Sequence, residues 1–321
     1  MNSARDIKRR IKSIGNTKKI TRAMEMVSAA KMRRSVASVL SIRPYAHSAW
    51  NVLMNLSNSI DSQKEGLLSV REVKNILIVV IAANRGLCGS FNAQVAKKIK
   101  DELANPIKLK MNRIENKKNN KFFTGATNEV RVDFITIGKK SEVMVKRLGK
   151  EIIANFPELT YLPKIEDVRA VTKIIINEYL EKKYDKVAII YTDYISAINQ
   201  QAKIRQILPV SKLDLEKQIA EMDVLADNFG LSSTKIEYKI EPSRKEVLEC
   251  IFPRLIEMQI YHAILESNAS KESSRMLAMR NATDAAGEMA DGLTLAYNQL
   301  RQAKITQEIA EISAGKATLE G

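Results

Sequence analysis

Few groups in this sequence could do covalent chemistry. Its 321 residues hold two cysteines, Cys88 and Cys250, and two histidines, His47 and His262. A thiol nucleophile needs a base nearby to hold it as thiolate. Both histidines fall in the helical ends of the chain, whereas Cys88 follows the first strand-like run, so no Cys/His pair is indicated. The cysteines lack CxxC spacing and neither has other ligand types clustered around it, which argues against a zinc site or a disulfide scaffold and suits a reducing compartment. His262 lies in a row of apolar positions and reads as a packing residue before a ligand. The expectation is therefore no catalytic residue, no metal ligand and no cofactor.

Two further patterns concern anions. The segment Arg85-Gly86-Leu87-Cys88-Gly89-Ser90-Phe91-Asn92 follows an apolar run, and glycines there would let backbone N–H groups approach a phosphate at a helix start. Its glycines are only three apart, and neither GK[ST] nor G-x-G-x-x-G follows, so a tight strand-to-helix turn is the better reading. Residues 1–34 carry eleven Lys or Arg against Asp6 and Glu25, within a chain whose 52 basic and 37 acidic residues leave a net charge of +15. Such a surface prefers acidic partners. Nucleic acid is one candidate, yet the basic run has no interleaved aromatic side chain to stack on bases.

These groups need elements to carry them. Residues 1–57 contain one proline, Pro44, and one glycine, Gly15, with apolar residues at Ile7, Ile11 and Ile14, then at Ile20, Met24, Val27 and Ala30. Spacings of 3 and 4 predict a long helix, with a phase slip across Gly15-Asn16-Thr17. Between 74 and 208, β-rich runs at 76–83, 132–137 and 187–192 alternate with helical patterns at 92–103, 139–148 and 165–183, the mark of βαβ units around a mostly parallel sheet. Residues 105–131 are rich in Asn and Lys and read as an exposed insert. Residues 211–241 read as a connector with a short helix at 213–222. The longest apolar run, 76–83, is far too short to span a bilayer, and the N-terminus has no apolar signal region, so a soluble or membrane-peripheral chain is expected.

The last element starts at Ser243, which with Glu246 forms a capping-box pattern, and runs to about 319 with a kink or restart expected near Pro253. Steps of 3 and 4 from Leu248 to Leu300 meet apolar or aromatic residues except at His262, Glu272 and Thr283. That is a coiled-coil seam. At about 1.5 Å per residue the C-terminal helix would be roughly 110 Å long and the N-terminal one about 80 Å. Paired antiparallel, they leave the end of the longer helix projecting. After Leu300 the apolar residues change phase to Ile305, Ile309 and Ile312, which predicts partners on several sides.

Three stretches resemble the F-type ATP synthase gamma-subunit family. They are residues 14–33, from Ile14-Gly15-Asn16-Thr17 through Met24-Glu25-Met26 to Lys31-Met32-Arg33; the segment 85–92; and residues 275–312, with Arg275-Met276, Ala282-Thr283-Asp284 and Arg301-Gln302-Ala303-Lys304-Ile305-Thr306-Gln307-Glu308. The resemblance spares only the segments near 105–131 and 211–241, which look like insertions. Where the family usually ends on Gly-Ala, this chain has Gly315-Lys316. The paired-cysteine regulatory segment of chloroplast members has no counterpart here.

The resemblance implies an α/β fold with long helices: an antiparallel coiled coil of the terminal helices around a central Rossmann-like α/β domain on a mostly parallel sheet. It implies a central stalk, or rotor shaft, with no reaction chemistry of its own, coupling proton-driven rotation of a membrane ring to ATP synthesis at the catalytic beta subunits. Expected partners are the alpha and beta subunits, the epsilon subunit and the c-subunit ring, with one copy per complex, no nucleic acid, and a peripheral place on the cytoplasmic face of the bacterial plasma membrane. Met24, Arg275, Arg301, Gln302 and Gln307 are the implied contact residues, and the basic N-terminal helix would face an acidic loop of the beta subunits.

Overall fold

The computed structural model describes residues 4–57, 66–69, 71–111, 130–157, 159, 162–210, 220 and 244–319. Its elements are α1 (Ala4–Ser57), a 3₁₀ turn (Gly66–Leu68), β1 (Asn75–Ile81), α2 (Phe91–Leu103), α3 (Pro106–Lys110), β2 (Arg131–Ile137), α4 (Lys139–Arg147), β3 (Ile152–Phe156), α5 (Ile165–Leu180), β4 (Lys186–Tyr194), β5 (Gln200–Leu208) and α6 (Arg244–Leu319). Two compact units are distinguished, Met1–Ala29 with Arg275–Gly321, and Ala30–Ser274. The expected helix at 213–222 and the Ser243 cap lie outside the described residues, apart from residue 220.

The larger unit is built on a five-stranded sheet of order β3-β2-β1-β4-β5, parallel except for the β4–β5 hairpin. Strand β1 reads as an unbroken apolar run because both its faces are covered. Leu77, Val79 and Ile81 face a core shared with Val168, Val171 and Ile175 of α5 and Ile256, Ile260 and Ile264 of α6. Ile76, Ile78 and Val80 face the opposite core, with Val95 and Ile99 of α2, Val145 of α4 and Leu109 of α3.

Strands β3 and β5, which the sequence reading did not isolate, are the two sheet edges. A half-covered edge strand takes polar residues at alternate positions, and β3 alternates in burial while β5 opens on Gln200-Gln201. The start of the expected 105–131 insert is not an exposed loop. Leu109 is buried, and Lys186 donates from Nζ to the carbonyls of Leu109 and Met111 at 2.8 Å each. A buried ammonium needs such acceptors, and these tie α3 to the sheet. Residues 112–129 lie outside the described residues.

Helix α6 continues through Pro253, as α1 does through Pro44, so it does not restart there. Burial of Leu255 and Ile256 directly after the proline holds the turn against the lost backbone hydrogen bond. Within this unit α6 is packed on two sides, because Leu265 and Ala269 form a separate cluster with Val36 and Val39 of α1 and Tyr194. Its polar residues are therefore buried and must find partners. The Ser270 hydroxyl donates to the Thr192 carbonyl at 3.2 Å, the Ser273 hydroxyl to the Ala197 carbonyl at 2.5 Å, and Glu257 meets Arg169 at 3.2 Å and Arg254 at 2.9 Å.

His262 is fully buried in this region, with Glu266 Oε2 3.4 Å from its Nδ1. Burial, and after it the positive charge of Arg205, hold its pKa well below the ordinary imidazole value of 6.5. The folded chain thus keeps His262 neutral where the unfolded chain, near pKa 6.5, takes up a proton. The depressed folded pKa makes stability fall as pH drops below that value. Between pH 6.5 and 5.5 this one group should remove about 1 kcal/mol. Urea unfolding of the chain and of His262→Gln over that range checks it: the variant should lose less stability, and equal losses would contradict the assignment.

The smaller unit is an antiparallel helix pair. The hydroxyl of Thr283 meets that of Thr21 at 2.7 Å, while Arg10, Ser13 and Ile14 line one groove with Met289, Gly292 and Leu293. Falling numbers on α1 therefore meet rising numbers on α6. The buried or half-buried row of α1 includes Ile7, Ile11, Ile14, Thr21, Glu25 and Ser28, which keep one phase of three- and four-residue steps across the exposed Lys18. The expected phase slip at Gly15-Asn16-Thr17 does not occur. Thr21 and Ser28 are buried, whereas Ile20 and Val27 are 59% and 54% exposed. Of the apolar residues read as continuing the seam, Ile20 and Val27 face outward while Met24 is half-buried. On α6, Met279, Thr283 and Ala286 are buried at the seam.

Candidate functional site

The β1–α2 turn, the phosphate-cradle candidate in the sequence, closes on itself. The amide of Asn92 donates to Cys88 Sγ at 3.2 Å, and its Oδ1 accepts from the Ala83 N–H at 3.2 Å. The Phe91 N–H donates to the Cys88 carbonyl at 3.2 Å, and Leu87 and Gly89 take positive φ values of 61° and 54° to make the bend. Cys88 is buried, so its thiol braces a turn. The geometry is that of a tight strand-to-helix connection.

The exposed apolar surface of the smaller unit is more informative. Every residue from 298 to 314 of α6 is exposed, including Leu300, Ile305, Ile309 and Ile312. Ile309 and Ile312 are 59% and 73% exposed on a well-formed helix. Further along the pair, Ile20, Met26 and Val27 on α1 and Met289 and Leu295 on α6 are exposed as well. Apolar groups gathered this densely on helices mark a surface that other chains cover. Periodicity did not reveal the α1 part of it, because apolar residues in two phases leave open which row faces the partner helix.

The five predicted contact residues all fall in this unit. Met24 and Arg275 are half-buried, while Arg301, Gln302 and Gln307 are exposed on the segment just described. The Gln307 amide donates to Glu311 Oε1 at 2.8 Å, the Thr306 hydroxyl to the Gln302 carbonyl at 3.0 Å, and Lys304 approaches Glu308 at 3.6 Å. These contacts between neighbouring turns support the helix and leave the Arg301 and Gln302 side chains at the surface. On α1, Arg22 and Glu25 pair at 2.8 Å within the basic stretch. A groove of about 450 Å³, lined by Arg10, Ser13, Ile14, Met289, Gly292 and Leu293, completes the surface. Among the described residues there is no cluster suited to a metal ion, and no helix is long and apolar enough to cross a membrane.

Comparison with known proteins gives one consistent picture. The family model described as ATP synthase matches residues 3–319. The ATP synthase gamma chain of Chloroflexus aurantiacus is 38% identical over 323 residues, covering 99% of both chains. That of Legionella pneumophila is 34% identical over 319 residues, covering 99% of this chain and all of the other. Among solved structures, the central stalk and c-ring of the Tetrahymena thermophila mitochondrial ATP synthase has a chain with TM-score 0.54 and 25% identity, covering 82% of this chain and 99% of its own. A rotor chain of the Euglena gracilis mitochondrial ATP synthase shares the fold, with TM-score 0.58, 16% identity, and coverage of 94% and 98%.

Proposed function

The chain belongs to the ATP synthase gamma-chain family, as the family match over residues 3–319 and the gamma chains of 34–38% identity show, and we propose that its central-stalk role is that of a rotor shaft. The chain associates with the catalytic head and the c-ring. The observation that carries the shaft reading is the exposed α6 segment from 298 to 314, a helix with apolar residues facing out and no packed core of its own. Such a segment has apolar side chains that prefer cover, and a sleeve of alpha and beta subunits supplies it. The alternative of a nucleic-acid-associated coiled coil is set aside, because the family match takes in the basic helix on which it rested.

In this reading one copy turns with the c-ring, driven by proton flow at the cytoplasmic face of a bacterial membrane and held beside the epsilon subunit. It does no bond-making chemistry. Its two helices present different side chains in different directions, so three surrounding catalytic subunits meet three different surfaces. That difference matters, because a shaft bound equally well to every conformation of a catalytic site would shift none of them. Linkage is reciprocal: an angle that weakens nucleotide binding at one site is an angle that nucleotide binding there opposes. Synthesis and hydrolysis can then share one rotor.

Arg301 and Gln302 are the contact pair in this proposal, with Met24, Arg275 and Gln307 as further contacts. Arg301 offers a planar set of donors suited to a carboxylate, and Gln302 both donates and accepts. Replacing both by alanine should slow steady ATP hydrolysis of the assembled head by about tenfold, the effect of losing one or two hydrogen bonds to charged groups. Unchanged rates in a complex of normal composition would remove the pair from the site.

A further inference from the structure

The seam of the smaller unit is unusual in what it buries. A coiled coil lined only with Leu and Ile pairs almost equally well after sliding by one heptad, and a polar seam residue with a matched partner removes that freedom. Here Thr283 donates to Thr21 Oγ1 at 2.7 Å, and Thr21 donates to the Lys18 carbonyl at 3.1 Å, with both threonines buried. One turn away, Lys18 lies across Gly287: a Cβ at residue 287 would sit 2.9 Å from its Nζ and 3.5 Å from its Cε. The end of the exposed Lys18 side chain thus lies over a position with no side chain.

We propose that the Thr21–Thr283 bond and the Lys18–Gly287 fit together form a register lock, which selects one axial alignment of α1 and α6. Sliding by seven residues would put Thr283 opposite Ile14 or Ser28 and Thr21 opposite Ala290 or Met276. Only the move towards Ser28 offers Thr283 another hydroxyl, and that move leaves Thr21 facing Ala290. The same slide sets Lys18 against Arg280 or Thr294, where a side chain occupies the place that Gly287 leaves open. Both features therefore favour the same alignment. The lock has a consequence for the surface: it fixes how much of α6 extends past the start of α1, and hence which residues beyond Tyr297 are presented. This does not depend on what covers that surface.

Spin labels on the full-length chain test it. With Cys250→Ser removing the exposed thiol and Cys88 buried, labels at Lys8→Cys and Asn281→Cys report the alignment, since both positions are exposed and well offset along the pair. The parent and Thr283→Ser, which keeps the hydroxyl, should each give one distance. Thr283→Val with Gly287→Leu should add a second, displaced by about 10 Å, which is seven residues at 1.5 Å each. An unchanged single distance in that folded double variant overturns the lock. If circular dichroism shows that the double variant has not folded, Thr283→Val alone decides. This near-isosteric change should populate the second distance on the order of a tenth, and a single unchanged distance in it overturns the proposal.

Discussion

Ending the chain after Leu300 should leave it folded yet cut ATP synthesis in reconstituted vesicles by about tenfold, equivalent to ~1.4 kcal/mol of lost coupling. The reason lies in where the removed residues are. From 301 to 314, the part whose side chains are described, every residue is exposed, so losing them opens no cavity and exposes no core. Surface changes of that kind leave stability within about 0.5 kcal/mol. What is lost is a helix carrying Ile305, Ile309 and Ile312 on its surface, together with Arg301, Gln302 and Gln307. In the proposed assembly those side chains keep the upper end of the shaft centred among the catalytic subunits. Comparing synthesis, hydrolysis and proton pumping with the melting temperature of the truncated chain separates the two effects. Full coupling after truncation would sink the bearing assignment.

Gly138→Ala should be the most damaging small substitution in the sheet domain, costing about 3–5 kcal/mol from backbone strain and overpacking together. Gly138 sits between β2 and α4 with φ 96° and ψ 143°, a conformation open essentially to glycine alone. A Cβ there would stand 2.3 Å from the Ala82 carbonyl oxygen and 3.1 Å from both its carbon and Asn84 Oδ1. The oxygen belongs to backbone that cannot swing aside. Hydrogen bonds tie the ends of three strands together at this point: the Ala82 N–H donates to the Ile137 carbonyl at 3.0 Å, the Gly138 N–H to the Phe156 carbonyl at 3.0 Å, and the Lys140 N–H to the Ala83 carbonyl at 3.0 Å. Gly15→Ala is the control. It lies within α1 with nothing inside 4 Å of an added Cβ, and should gain up to about 1 kcal/mol from helix propensity. Denaturant unfolding of the two variants checks the contrast, and a loss below 1 kcal/mol for Gly138→Ala would mean that the strand ends rearrange freely.

The long terminal helices and the buried strands were legible because their periodicities record their own burial. Strand β1 shows this at its simplest: seven residues, nearly all apolar, between two packed faces. Edge strands were not legible, since β5 buries only its second half and carries Gln, Lys and Arg along its length. Helix α3 was hidden for a similar reason. Its lysines look solvent-bound in sequence, and only the distant Lys186 shows that the segment is pinned to the sheet.

The predicted contact residues were placed by resemblance, and their chemistry could not have singled them out from so many other Arg and Gln side chains. The sequence by itself determined the long terminal helices, the buried strands, the family they belong to and the surplus of apolar residues after Leu300, because each depends on residue types and local spacing. Only the tertiary structure decided which row of α1 faces inward. Ile20 and Val27 look like seam residues until Thr21 is found bonded to Thr283, 262 residues away. Hydrophobicity reports that a side chain prefers to be covered, and the identity of what covers it is set by the partner helix and its alignment.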